Sequence, residues 1–275
     1  MINRNEIKER AKGMFMGNYW LNVALFAIFG AVAGGASGFS GMGSGSSSFM
    51  NNFKDSIPPA VMAVIGIVVM FAALIGIGYG IFVAGPLTVS SARAGLNVYD
   101  GNRPSFKDII YCFKDGRYWK CVGGMALSGL FTALAALVVM IPIAIIAVIA
   151  AVGIGDSSSI SEGAAISGYV GIGIVSTLLA LIPTIIVGLG LSQTPYIIAE
   201  EGLSGMAAIK GSWEVMRGHK WELFVFRLSF FGWAMLTVIT FGIVGVFYVN
   251  PYMSISYAGY YRELTGGANA AVEVI

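Results

Sequence analysis

Five stretches of this 275-residue chain contain no Asp, Glu, Lys or Arg: Gly13–Phe53, Ser56–Ala92, Cys121–Gly155, Gly163–Ala199 and Leu228–Tyr261. Each exceeds the roughly 20 apolar residues that a helix needs to cross a hydrocarbon layer about 30 Å thick. Inside lipid every backbone N–H and C=O has to be satisfied within the chain, which leaves helices and closed barrels. Alternation of apolar and polar residues, the mark of a membrane barrel strand, is absent, so helix is expected. The first four stretches give one span each, near Tyr19–Ala36, Met62–Pro86, Val122–Val152 and Gly168–Ile198. Trp221–Tyr261 holds two more if the chain reverses tightly at Thr240-Phe241-Gly242, with Gly245 just beyond. The expected fold is an all-α, polytopic transmembrane helix bundle of six spans, with five as the fallback.

Composition closes off the alternatives. Apolar residues make up 57% and charged residues 11%, against roughly 45–50% and 25% in soluble domains. Such a chain cannot cover a water-facing surface with polar groups. That excludes a soluble enzyme, a disordered tail and a nucleic-acid binder.

The 16 basic residues then set an orientation. Arg4, Lys8, Arg10 and Lys12 precede the first span, and Arg93, Arg103, Lys107, Lys114, Arg117 and Lys120 follow the second. Lys210, Arg217 and Lys220 follow the fourth, and Arg262 follows the last. The opposite loops, 37–57 and 153–167, hold only Lys54. Cytoplasmic loops are the basic ones, so both termini are expected inside the cell. The N-terminus imitates a signal peptide as far as Ala31-Val32-Ala33, but amphipathic Asn5–Phe15 carries Glu6 and Glu9, which suits an uncleaved helix better. Gly38–Ser48 reads as a flexible low-complexity loop, and no strand–turn–helix surrounds its glycines to make a nucleotide site.

A repeat runs through the chain. Gly17-Asn18-Tyr19-Trp20, Gly116-Arg117-Tyr118-Trp119 and Gly218-His219-Lys220-Trp221 share Gly-x-x-Trp where a basic segment gives way to an apolar one. A short amphipathic helix is expected before each. Their apolar faces are Ile7, Ala11, Met14 and Phe15; Phe106, Ile109, Ile110 and Phe113 behind a Ser105-x-x-Asp108 capping box; and Met206, Ile209, Trp213 and Met216 behind Ser204. The even-numbered spans repeat a proline, in Gly85-Pro86-Leu87, Thr194-Pro195-Tyr196 and Asn250-Pro251-Tyr252. A helix is kinked there, because proline removes a backbone hydrogen bond. The chain thus reads as a single integral membrane domain, 1–275, of three hairpin units. These cover approximately 1–95, 96–201 and 202–264, with a flexible tail at 265–275. Each element also has an ordinary structural use: Trp20, Trp119 and Trp221 as interfacial anchors, the glycines as helix C-caps, and the basic helices lying on an anionic inner leaflet.

Certain residues carry a family resemblance. Met216-Arg217-Gly218-His219-Lys220-Trp221, Leu228-Ser229-Phe230-Phe231-Gly232-Trp233, Gly242-Ile243, Asn250-Pro251-Tyr252 and Tyr260-Tyr261, with Lys8–Trp20, resemble the bacterial integral membrane proteins grouped as domain of unknown function 975. The resemblance spans nearly the whole chain. It implies a multi-pass protein of the bacterial plasma membrane and supplies no activity, ligand or catalytic residue. More distantly, the arrangement looks like the membrane region attached to some bacterial glycerophosphodiesterases, without the hydrolase.

No catalytic pattern stands out. His219, the single histidine, sits in a basic interfacial turn and is expected to be solvated; Cys112 and Cys121 are expected as free thiols, and Glu200-Glu201 as the end of the fourth span. No metal-ligand cluster is found and no cofactor is expected. One charge lies within a span, Arg227, six residues beyond Trp221 and so roughly 9 Å of helix away. It marks the candidate intramembrane polar site, with Gln193 as partner and Asn250 joining through backbone groups freed by Pro195 and Pro251. Gly30/Gly34 and Gly76/Gly80 have the spacing of close helix packing, within the chain or in a homo-oligomer. The expected function is a non-enzymatic membrane scaffold or partner-binding module, in contact with anionic inner-leaflet lipids and a membrane-protein partner. The alternative is a small-molecule or lipid transporter, or a lipid-handling protein.

Overall fold

The computed structural model describes residues 3–32, 58–114, 116–155, 181–203 and 205–272, with isolated helical positions at 171, 175 and 179. No strand occurs among them. Loop 37–57, including Gly38–Ser48, most of loop 153–167, Gly34 and the proposed cap Ser204 lie outside the described residues.

Helix α1 (Arg4–Gly17) starts at Asn3, whose side-chain Oδ1 accepts from the Glu6 amide as an N-cap and whose Nδ2 donates to the Glu6 carboxylate. Its stripe Ile7, Ala11 and Phe15 is fully buried, as the spacing requires. The chain then bends by 102° into α2 (Tyr19–Val32). Asn22 holds this corner by donating to the Phe15 carbonyl at 3.0 Å.

Beyond the gap, α3 (Pro59–Tyr79) passes through a π turn at Gly80–Ala84 into α4 (Gly85–Tyr99). Helix α5 is Tyr118–Gly155, and α6 covers residues 181–190. A turn leads from α6 into α7 (Thr194–Glu201), which ends on Gly202 in the left-handed region. Then come α8 (Met206–Val215), α9 (Lys220–Leu228), α10 (Phe231–Ile239), a second π turn at Gly245–Val249, and α11 (Asn250–Val272).

Among the described residues, four helical runs are long and apolar enough to cross a membrane: Ala63–Tyr99, Tyr118–Val138, Leu181–Glu201 and Lys220–Ile239. The bent pair α1–α2 makes a fifth if it counts as one span. Six were expected. Helix α11 falls short of the apolar standard because Asn250, Ser254, Ser256, Arg262 and Glu263 interrupt it. The expected turn before it is present. Phe241 and Gly242 both take positive φ (51° and 87°), and the Gly242 amide donates to the Thr237 carbonyl at 2.8 Å.

The core lies where the post-proline helices meet. Helix α4 packs on both α7 and α11, and α1 lies across α4 and α11. At the α4–α11 crossing Gly95 faces Ser254 and Ala258, while Gly259 faces the Tyr99 ring. Aromatic rings from α9 and α11 fill the adjoining space. Phe226, fully buried, has Tyr260, Phe230 and Tyr257 at centroid distances of 5.3, 5.4 and 5.9 Å. By contrast the faces of α3 point outward, with Val64, Val68, Phe71 and Ile75 all more than half exposed.

Three sequence expectations are corrected. Phe106–Phe113 is not an α-helix but a 3-10 turn at Phe106–Asp108 followed by further turns, with Phe106, Ile110 and Phe113 exposed. Ser105 does accept from the Lys107 amide, yet Asp108 turns to Asn97 of α4 at 3.0 Å instead of closing the box. That pull toward α4 competes with helix growth. Second, Cys112 and Cys121 are not free thiols but disulfide-bonded, with Cα atoms 6.2 Å apart. The turns fold the segment back far enough to bring the two Cα atoms within the span of a disulfide. Third, α11 continues past 264 to Val272, Thr265 donating back to the Tyr261 carbonyl to extend the turn.

Candidate functional site

Proline at position i leaves the carbonyl of residue i−4 without its helical donor. Pro86 and Pro251 therefore free the carbonyls of Phe82 and Phe247, and both lie in the π turns just upstream. Each is capped by a tyrosine hydroxyl: Tyr118 donates to Phe82 O at 2.9 Å, and Tyr19 donates to Phe247 O at 3.2 Å. These are the tyrosines of the first two Gly-x-x-Trp motifs. The third motif has Lys220 in that place. There the break before Pro195 is braced by Ser212 of α8, which donates to Gly190 O at 2.8 Å and accepts from the Gln193 amide at 3.2 Å.

The direction of these contacts is cyclic. Residue 118 of the second unit caps the first, residue 212 of the third braces the second, and residue 19 of the first caps the third. Sequence reasoning identified the prolines and missed their caps. The signal available was the Tyr-Trp pair shared by two of the three motifs. Trp20, Trp119 and Trp221 each stand second in their helix, with exposures of 73%, 70% and 71%.

The proposed polar site is dispersed. Arg227 is exposed on α9, its guanidinium 5.7 Å from the centre of the Tyr257 ring. It borders an apolar cleft of about 370 Å³ with Phe224, Leu189 and Met253. Gln193 is buried and donates to Ser192, while its Oε1 has no partner among the described residues. No hydrogen bond therefore joins it to Arg227. Asn250 is exposed and lies beside Gly30. His219 pairs with Glu222 at 3.1 Å. Among the described residues no group of His, Cys, Asp and Glu is placed to hold a metal ion.

A family model described as "Protein of unknown function (DUF975)" matches residues 1–268. The chain belongs to this family. No curated protein and no solved structure matches it.

In this DUF975 chain the far ends of the three post-proline helices also meet. Arg262 of α11 makes a two-pronged contact with Asp100 at the end of α4, at 3.0 and 2.6 Å, and a third bond to Glu200 of α7. Burial lowers the guanidinium's affinity for its proton, but the two carboxylates more than reverse this and hold it above an ordinary arginine. The last turn of α7 is closed from two sides, since Tyr111 and Arg93 both donate to Ala199 O, at 2.9 and 3.4 Å.

Ser212 gives a direct test of the brace. Ser212→Ala leaves Gly190 O and the Gln193 amide without their partner, and the expected loss is about 1–3 kcal/mol. It is read as a fall in the unfolding midpoint of the detergent-purified protein. Thr265→Ala, at a self-satisfied helix turn, is expected to leave the midpoint unchanged.

Proposed function

We propose that this chain is a non-enzymatic, multi-pass module of the bacterial plasma membrane, acting as a scaffold or partner-binding unit. In this reading six spans form three hairpins, short basic segments lie on the cytoplasmic face, and both termini are inside. The single observation that carries it is the cyclic set of contacts at the proline breaks, two tyrosine caps and one serine brace, in which each unit is completed by a residue of another. A ring closed in this way is a rigid support, because no unit can open without losing two interunit contacts. The positions of Trp20, Trp119 and Trp221 support the same threefold repeat, and the basic loops support the orientation.

The outward faces suit partner binding. A helix that is apolar all round is either a lipid-facing span or one that packs against another protein. Helix α3 is of this kind, with Val68 and Phe71 among its exposed residues. A photoreactive residue placed at Val68 or Phe71 in living cells is expected to give discrete adducts with another membrane protein. Adducts to lipid alone, from both positions, would contradict the scaffold. They would favour the second reading, a lipid-handling protein, to which the lateral cleft beside Arg227 lends support.

A further inference from the structure

A second groove, about 740 Å³, lies between α5, α6 and α8, apart from the Arg227 cleft. One wall is apolar, made by Phe131, Leu134 and Val138 of α5. The other is made by Lys210 and Trp213, three residues apart on α8, and by Arg217 in the turn just beyond that helix. Sequence periodicity gave α8 an apolar stripe of Met206, Ile209, Trp213 and Met216. Only Ile209 and Met216 of that stripe are buried, and Ala208 and Ser212 complete the buried side. Trp213 is thus left at the rim, its ring resting on Gly190, where a Cβ would overlap it. Lys220 stands over the same ring, 3.4 Å from its centre.

The charges at this rim are unbalanced. Lys210 and Arg217 have no ion-pair partner among the described residues, and the groove contains one carboxylate, Glu214, which also pairs with nothing there. The groove therefore joins a net-positive end to an apolar channel of ligand-binding size.

We propose that the groove holds one anionic phospholipid, with its headgroup phosphate at Lys210 and Arg217 and an acyl chain along Phe131, Leu134 and Val138. The charge and the shape each select a different part of that molecule. An arginine fork suits phosphate oxygens, lysine adds a point charge, and an indole at the rim suits the interface between headgroup and chain. The assignment rests on the orientation proposed above, in which this basic end faces the anionic inner leaflet.

The test uses the full-length protein purified in mild detergent, with bound lipid counted by native mass spectrometry after addition of phosphatidylglycerol or phosphatidylcholine. The expected result is retention of one phosphatidylglycerol in preference to phosphatidylcholine. Lys210→Gln with Arg217→Gln is expected to weaken retention roughly twenty-five-fold, from about fivefold per basic residue at an anionic surface. Leu134→Trp, which fills the channel and keeps every charge, is expected to weaken it as well. Lys107→Gln with Lys114→Gln removes equal charge elsewhere and is expected to leave it unchanged. Equal retention of the two lipids would overturn the proposal. So would an equal loss in the two double-glutamine variants, or competition by glycerol phosphate, which has no acyl chain. A reversed orientation in cells would undo the topology while leaving these binding results as they are, so the two failures are distinguishable.

Discussion

Phe226→Ala is expected to be among the most damaging single changes in this chain, lowering stability by about 3–5 kcal/mol. Phe226 is fully buried, and three aromatic rings from its own helix turn and from α11 lie within 5.9 Å of its centroid. Edge-to-face and stacked aromatic pairs add about 0.5–1.5 kcal/mol each beyond plain burial. Lys8 of α1 also approaches the cluster, 4.6 Å from the Phe230 ring centre and 5.8 Å from Phe226. Truncation therefore opens a void between α1, α9 and α11 that the rigid rings around it cannot close. The readout is the thermal midpoint of the detergent-purified protein, together with its yield in membranes. Phe241→Ala is the matched control: Phe241 is 97% exposed at the tip of the turn, and its loss is expected to move the midpoint little. Equal shifts for the two would show that the aromatic cluster is not what holds α9 to α11.

The second large effect is expected from overfilling rather than emptying. Gly259 of α11 faces the buried Tyr99 ring of α4 so closely that a Cβ would overlap Cε2 and Cζ. Gly259→Ala is expected to cost about 1–3 kcal/mol, the usual range for overpacking, and Gly259→Leu to abolish folding. Tyr99→Leu added to Gly259→Ala should recover part of the loss, since contacting residues are not additive. Gly266→Ala, further along the same helix with nothing within 4 Å, is expected to be neutral or slightly stabilising through helix propensity alone. If Gly259→Ala behaves like Gly266→Ala, the α4–α11 crossing is looser than its geometry indicates.

Much of the fold was legible because two signals are local. Long charge-free stretches locate membrane-capable helices, and the three-and-four spacing of Ile7, Ala11 and Phe15 locates a buried face. The prolines were legible for the same reason: the lost donor is a property of one residue. What completes each break was not legible, because the donor comes from far away. Tyr19 reaches Phe247 across 228 positions, and Arg262 reaches Asp100 across 162. Local pattern also misled at Phe106–Phe113, where a helical spacing lost to the Asn97–Asp108 bond and to the link between Cys112 and Cys121. The polar site proposed around Arg227 failed to assemble for a related reason. Similar depth along two helices does not make two side chains face each other, and Gln193 found Ser192 and the Ser212 brace nearby.

The claim on which the rest depends is that three hairpins return the chain to the side where it began. It is tested most directly by fusing a reporter that is active only in the cytoplasm ahead of Asn3 in one protein and after Ile275 in another. The account predicts equal, full activity from both fusions. Activity from the N-terminal fusion alone would mean an odd number of spans, and would contradict the three-hairpin architecture and the orientation assigned to its basic face.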